Sequence, residues 1–225
     1  MEYVAFFILG TIDIFLVLAF IFKIFRWPLG SYIKECILIA FLCSLESFAN
    51  RFVFDLAEYD ALIQVVTIML CVHYILRVNF YHAITLSVIG VMAYFEVVYV
   101  MYQVLEQIDI VSTSDAAASV GEGTFIIQLT SETFAAIIVW LIYKFNLGFS
   151  YVAVPPHDRK TKFTAEEKIN MTVDFVAALV IFATNYCIIT LGRLGIGAMM
   201  VSEFIALCLL LYLARRRDYA HDRPH

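Results

Sequence analysis

Long apolar blocks dominate this chain, and their length limits what it can fold into. Each block holds about 20 residues, the number an α-helix needs to cross a hydrocarbon core of about 30 Å. The composition agrees: 63% of the residues are hydrophobic, 16% are charged and the mean hydropathy is +0.87, whereas a soluble domain is about half apolar and a quarter charged. Seven transmembrane helices are therefore predicted, over residues 3–25, 32–54, 60–79, 81–105, 123–144, 168–190 and 195–214.

The fold class follows as an all-α polytopic membrane protein, a bundle of seven transmembrane helices. Six is the alternative, if the break between Arg77 and Tyr81 does not separate two helices. A membrane barrel is disfavoured because its strands alternate lipid-facing and lumen-facing residues. The run from Val176 to Phe182 shows no such alternation.

The loop charges predict the orientation, because short cytoplasmic loops carry an excess of Lys and Arg. One side collects Lys23, Arg26, Lys34, Arg77, Lys144, Arg159, Lys160, Lys162, Lys168, Arg215, Arg216, Arg217 and Arg223. The other side has the acidic residues Glu2, Asp55, Glu58, Glu106, Asp109, Asp115 and Glu122. Arg51 and Arg193 are the only basic residues that do not fit this pattern. The N-terminus is thus expected outside and the C-terminus in the cytoplasm, which an odd number of helices permits.

A single domain is predicted over residues 1–214, followed by a short basic cytoplasmic tail over 215–225. The first segment has no basic residue ahead of its apolar run and contains Asp13, so we expect it to remain as a helix rather than to be removed as a signal peptide. In the inner loop, Pro155-Pro156 ends the fifth helix. Thr164 and Glu167 have the spacing of a capping box that would start the sixth.

Ionisable residues occur within most of the predicted helices, where each costs about 2.5–3.5 kcal/mol to insert near the bilayer centre. Such side chains are expected to face the bundle interior and to be paired, protonated or solvated by a cavity. They are the predicted polar-core, ligand-binding or ion-binding residues: Asp13, Glu46, Arg51, Glu96, Glu132, Asp174 and Glu203.

Helical spacing places several of these residues on polar stripes. Glu46 shares a stripe with Cys43 and Asn50, Glu132 shares one with Gln128, and Glu96 and Asp174 have their own polar neighbours. A purely structural role, hydrogen bonding from helix to helix, is the alternative. Arg51 is a candidate partner for Glu46. Because five residues separate the two, they lie on different faces of the helix, and each could instead pair with a residue on another helix.

No catalytic residues, cofactor or metal site are predicted, and a nucleic-acid partner is not expected. Cys71 and His73 suggest a Cys/His peptidase only superficially, because two steps of about 100° put them on nearly opposite faces of a helix. All five cysteines lie in predicted helices, which offers no disulfide framework.

Three stretches resemble uncharacterised small polytopic membrane proteins of spore-forming Gram-positive bacteria: Phe25-Arg26-Trp27-Pro28, residues 146–150 with Pro155-Pro156-His157-Asp158, and residues 209–213 with Arg216-Arg217-Asp218. These proteins are similar in turn to the membrane sensor region of Agr-type peptide-responding histidine kinases. The resemblance implies a helical input module for a secreted peptide or a lipid-phase signal. A kinase of this type would carry its kinase domain after the last membrane helix, and we expect none between that helix and His225. Signalling is therefore expected to act through a partner protein.

The predicted function is a non-enzymatic sensor or regulatory protein, multi-pass in the bacterial cytoplasmic (inner) membrane. Its expected partners are the lipid bilayer, a secreted peptide ligand and a membrane protein or kinase. Two alternatives stay open: a small secondary transporter or proton-coupled carrier that uses the intramembrane carboxylates, and an accessory subunit of a larger membrane complex.

Overall fold

Helices make up the regular structure in the described part of the chain. A computed structural model describes residues 2–157, 169, 172–180, 183 and 196–221. The helices are α1 (Glu2–Ile24), α2 (Ile33–Phe52), α3 (Asp60–Tyr74), α4 (Phe80–Gln107), α5 (Thr113–Ala117), α6 (Glu122–Lys144), α7 (residues 172–180) and α8 (Ile196–His221), with 3₁₀ turns at Leu29–Tyr32 and Ala57–Tyr59.

Three of the described helices, α1, α4 and α6, are long and apolar enough to cross a membrane. Large apolar side chains also point outward from the bundle, among them Ile8, Leu38, Leu129, Phe204 and Leu209. An extended apolar exterior is costly in water. The fold is thus all-α, with helices that fit a lipid environment.

Helices α1 and α4 form the centre of the bundle. Helix α1 packs against α2, α4 and α6, and α4 also packs against α3, α6 and α8. Their contact is close at Gly90, where an added Cβ would lie 2.3 Å from the Cγ1 atom of Ile21. Phe20, Phe22 and Met92 are fully buried around this crossing. The crossing fixes the spacing of α1 and α4, which carry two of the side chains described below.

The two ends of the bundle differ. At the α5 end, the start of α1 meets the end of α2, with the rings of Tyr3 and Phe52 5.0 Å apart, and α5 covers the start of α6. At the opposite end, here called the Trp27 end, residues 145–157 fold back on the α1–α2 turn. There the indole N–H of Trp27 donates to the carbonyl of Val152 (3.0 Å) and the Tyr32 hydroxyl donates to the carbonyl of Pro155 (2.6 Å).

Five helices lack glycine at the left-handed position that follows the helix end, where glycine is usually found. Each is followed by a non-glycine residue in the left-handed region, with φ between 52° and 57°, namely Arg26, Asp55, Arg77, Asp109 and Asn146. After α1, the N–H of Trp27 reaches back to the carbonyl of Phe22 (2.7 Å). This bond satisfies a carbonyl that the helix end would otherwise leave unpaired. The left-handed residue thus lets the chain turn back toward the next helix.

The predicted helices match the described ones closely at most ends, apart from the C-terminal ends of α3 and α8. Helix α8 continues to His221 rather than ending at residue 214, because a helix can extend beyond the apolar block that it contains. Helix α3 ends at Tyr74, not at residue 79, because Arg77 turns left-handed and the imidazole Nδ1 of His73 contacts the carbonyl of Val78 at 2.7 Å. The break before Tyr81 therefore does separate two helices. The predicted capping box at Thr164 and most of the span 168–190 lie outside the described residues. The domain boundary predicted after residue 214 falls within α8.

Candidate functional site

Asp13 on α1 is the centre of a polar cluster inside the bundle. The hydroxyl of Tyr94 on α4 donates to its Oδ1 atom, and the amide Nε2 of Gln128 on α6 donates to its Oδ2 atom at 3.2 Å. Glu132, one turn further along α6, has its carboxyl group in contact with that of Asp13. We call these four residues the Asp13 site. Asp13 and Tyr94 thus meet the polar stripe of Gln128 and Glu132, which is the one stripe of this site that the sequence predicted.

The contact between two carboxyl groups has a chemical consequence. Glu132 is 6% exposed, and like charges in contact away from water cannot both be ionised. Ionisation of one carboxyl group therefore opposes ionisation of the other. The Oε1 atom of Glu132 also meets no N–H or alcohol donor within the described residues.

Two adjoining cavities lead to this site. The central cavity, of about 120 Å³, is lined by residues of α1, α2, α3, α4 and α6 that include Gly10, Ser47 and Gln64. The second cavity, here called the vestibule, has a volume of about 190 Å³ and lies between the central cavity and α5. Its walls include Tyr99, Tyr102 and residues 115–119. Both cavities are lined by Asp13, Arg51, Tyr94, Phe95 and Gln128. The shared lining makes the Asp13 site the junction between them.

Arg51 belongs to an ion pair that the sequence did not predict. Its Nε atom lies 2.6 Å from Oδ2 of Asp60 at the start of α3. The hydroxyl of Ser47 and the amide of Asn50 donate to the same carboxylate, at 2.8 and 3.2 Å. Glu46 instead accepts from Asn50. Arg51 therefore pairs across helices rather than with Glu46, and Asp60, read from the sequence only as a helix start, is the partner that was missed.

The remaining predicted residues lie away from the Asp13 site. Asp174 on α7 is buried and accepts from the hydroxyl of Thr85 on α4. Glu203 on α8 is fully buried. Glu96 is half-buried on α4, and its Oε1 atom meets no hydrogen-bond donor in the described chain. Of the predicted residues, Asp13 and Arg51 thus lie on the lining of both cavities, Glu132 lies beside Asp13, and Glu46, Glu96, Asp174 and Glu203 lie outside both linings.

Helix α5 forms the outer wall of the vestibule and is held by a local motif. The N–H and hydroxyl of Ser112 both donate to Asp115 Oδ2, at 2.8 and 2.6 Å. These bonds lower the pKa of the exposed Asp115 carboxyl, because they stabilise its charged form. Thr124 of α6 donates to the carbonyl of Asp115 at 2.8 Å. The five-residue helix is thereby tied to α6 beside the cavity.

The described residues contain no group of three His, Cys, Asp or Glu side chains placed to hold a metal ion. His73 uses its Nδ1 atom to hold the turn after α3. The described cysteines Cys36, Cys43, Cys71 and Cys208 are free thiols. What this interior offers is carboxylates, an amide and phenols around two connected cavities.

Comparisons with known proteins add no relative. No protein-family model, curated protein or solved structure matches this chain. The geometry of the site is therefore the basis for a functional proposal.

Proposed function

We propose that this protein is a sensor or regulatory protein of the bacterial cytoplasmic membrane. In this proposal seven helices span the bilayer, the α5 end faces outside and the Trp27 end faces the cytoplasm. A ligand enters through the vestibule and binds at the Asp13 site. The observation that carries the proposal is the pair of connected cavities leading from α5 to buried ionisable groups, because intramembrane ionisable residues on a cavity typically mark a functional site.

The arrangement also supplies a way for a ligand to change the structure. The central cavity touches α1, α2, α3, α4 and α6, so a ligand in it contacts five helices at once. A ligand shifts an equilibrium only by binding two arrangements with different affinity. Small rotations of these helices would reach the Trp27 end, where residues 145–157 contact the α1–α2 turn, and a partner protein would bind there.

A proton-coupled carrier is the second candidate, and the contact of Asp13 with Glu132 favours it. A carboxyl pair that holds one proton can release it when a substrate binds, which is the elementary step of coupled transport. The carrier would need a path from the Asp13 site to the Trp27 end. Trp27, Phe22 and Phe25 are fully buried at that end, and none of them lines the cavity of about 900 Å³ that opens there beside Ile24 and Asn146.

Proton flux separates the two functions. The purified protein is reconstituted into vesicles that enclose a pH-sensitive dye, and a proton gradient is imposed. For a sensor, we expect the gradient to decay no faster than in protein-free vesicles. A faster decay that is abolished in Glu132→Gln and retained in Asp174→Asn would overturn the sensor in favour of the carrier. Asp174→Asn is the matched control, since Asp174 is a buried carboxyl outside both cavities.

The orientation is tested by cysteine labelling. In a variant without native cysteines, Ala117→Cys on α5 and Val154→Cys in the proline loop give single thiols at exposed positions. An impermeant maleimide added to intact cells is expected to label position 117, and to label position 154 only after the membrane is opened. The reverse pattern would reject the proposed topology and with it the outward-facing vestibule.

A further inference from the structure

The hydrogen-bonding groups around the Asp13 site are unbalanced. Two donors that point into it, the Tyr94 hydroxyl and one N–H of the Gln128 amide, are used by Asp13. Two buried acceptors, Oε1 of Gln128 and Oε1 of Glu132, meet no N–H or alcohol donor within the described residues. The oxygens of Asp13 receive one printed bond each, from Tyr94 and Gln128, and a carboxylate accepts more than that. A ligand that brings hydrogen-bond donors therefore fits this site.

The charges around the central cavity also favour a ligand that donates hydrogen bonds. When Asp13 and Glu132 share one proton, the pair carries one negative charge. Arg51, the cationic group on the cavity wall, is engaged by Asp60, which is 1% exposed. Because this cation is already neutralised, the site favours a positively charged ligand.

The size and walls of the two cavities indicate an organic cation. A water molecule occupies about 30 Å³ in the liquid, so the central cavity of about 120 Å³ has room for a headgroup of a few heavy atoms. The vestibule adds about 190 Å³ lined by Phe95, Tyr99 and Tyr102. Aromatic faces attract cations and pack against hydrocarbon. A bare metal ion would leave these walls unused.

We propose that the Asp13 site binds the primary ammonium group of an organic amine, with the amine's hydrocarbon part in the aromatic vestibule. An ammonium group offers three donors and no acceptor, which matches the donors the site lacks. A quaternary ammonium carries the charge but no N–H, and we expect it to bind more weakly. This inference rests on the proposed ligand-binding function and specifies the chemical class of its ligand.

The test uses butylammonium as the probe and thermal unfolding of the purified protein in nanodiscs as the readout. At equal ionic strength, butylammonium chloride is expected to raise the melting temperature saturably and more than tetramethylammonium chloride, sodium chloride or sodium butyrate. Asp13→Asn should raise the apparent Kd by about tenfold or more, while Asp174→Asn leaves it unchanged. An equal effect of sodium, a larger effect of butyrate, or a Kd unaffected by Asp13→Asn would overturn the inference.

A second measurement avoids dependence on the folding of Asp13→Asn. Ala118→Cys, in a variant without native cysteines, places a thiol on the vestibule wall. Butylammonium is expected to slow its reaction with a maleimide, and butyrate is expected to have no effect. Equal rates with both probes would reject the amine. If position 117 is labelled from outside but no amine binds, only this inference fails; if position 117 is labelled from inside, the proposed function fails first.

Discussion

Replacing Arg51 by methionine is expected to lower the free energy of unfolding by about 2–4 kcal/mol, somewhat less than removing one partner of a fully buried ion pair costs, because the Arg51 side chain is itself 32% exposed. Asp60 is 1% exposed and lies 2.6 Å from the Arg51 guanidinium. Without that group its carboxylate keeps Ser47 and Asn50 as hydrogen-bond donors. The loss arises mainly from the uncompensated charge rather than from the contact itself. Denaturant unfolding of the reconstituted protein measures it.

The double variant Arg51→Met with Asp60→Asn tests whether the loss of stability comes from the unpaired charge of Asp60. It removes both ionised groups, so we expect it to be more stable than Arg51→Met alone. Arg216→Met is the matched control, since Arg216 is exposed on α8, and its effect should stay within about 0.5 kcal/mol. An Arg51→Met variant as stable as Arg216→Met would show that the pair does not hold α2 to α3.

Trp27→Ala is expected to destabilise the protein by about 3–5 kcal/mol, as for large aromatic side chains removed from a core. The indole is 2% exposed, stands edge-on to Phe22 at 5.5 Å, and donates to the carbonyl of Val152 at 3.0 Å. Its removal leaves a cavity and an unpaired carbonyl together. The loss should appear in the same unfolding experiment and as faster proteolysis of residues 145–157.

The chain offers a matched control, because its other tryptophan, Trp140, is 52% exposed on α6. Trp140→Ala should cost much less, since it leaves no internal cavity. Trp27→Phe keeps an aromatic ring and loses the N–H, so we expect an intermediate cost of about 1–3 kcal/mol. If Trp27→Ala and Trp140→Ala were equally stable, residues 145–157 would not be anchored through the indole.

The polar interior was only partly predictable from the sequence. Periodicity placed Gln128 and Glu132 on one stripe of α6, as the structure has them. The same reasoning could not identify Tyr94 as a partner of Asp13, because 81 residues separate them and tyrosine is common in this chain. Asp60 was missed for a similar reason: a carboxylate at a helix start is ordinary, and only the packing of α3 on α2 buries it.

Helix ends show the same limit. The sequence predicted the break near Arg77 from local charge, yet α3 ends five residues earlier than predicted. Glycine usually marks such an end, and here a left-handed arginine replaces it. The turn is fixed by contacts such as that between His73 and the carbonyl of Val78, which no local propensity contains.

The sequence by itself determined an all-α protein with helices suited to a bilayer, because block length and hydrophobicity are local properties that need no partner. It also determined which side chains are costly inside a membrane. Only the tertiary structure decided which of them meet. Asp13, Glu132 and Arg51 line or adjoin one pair of cavities, while Glu96, Asp174 and Glu203 do not. That selection follows from the crossing of α1, α4 and α6, whose rotations and spacing arise from packing between distant segments.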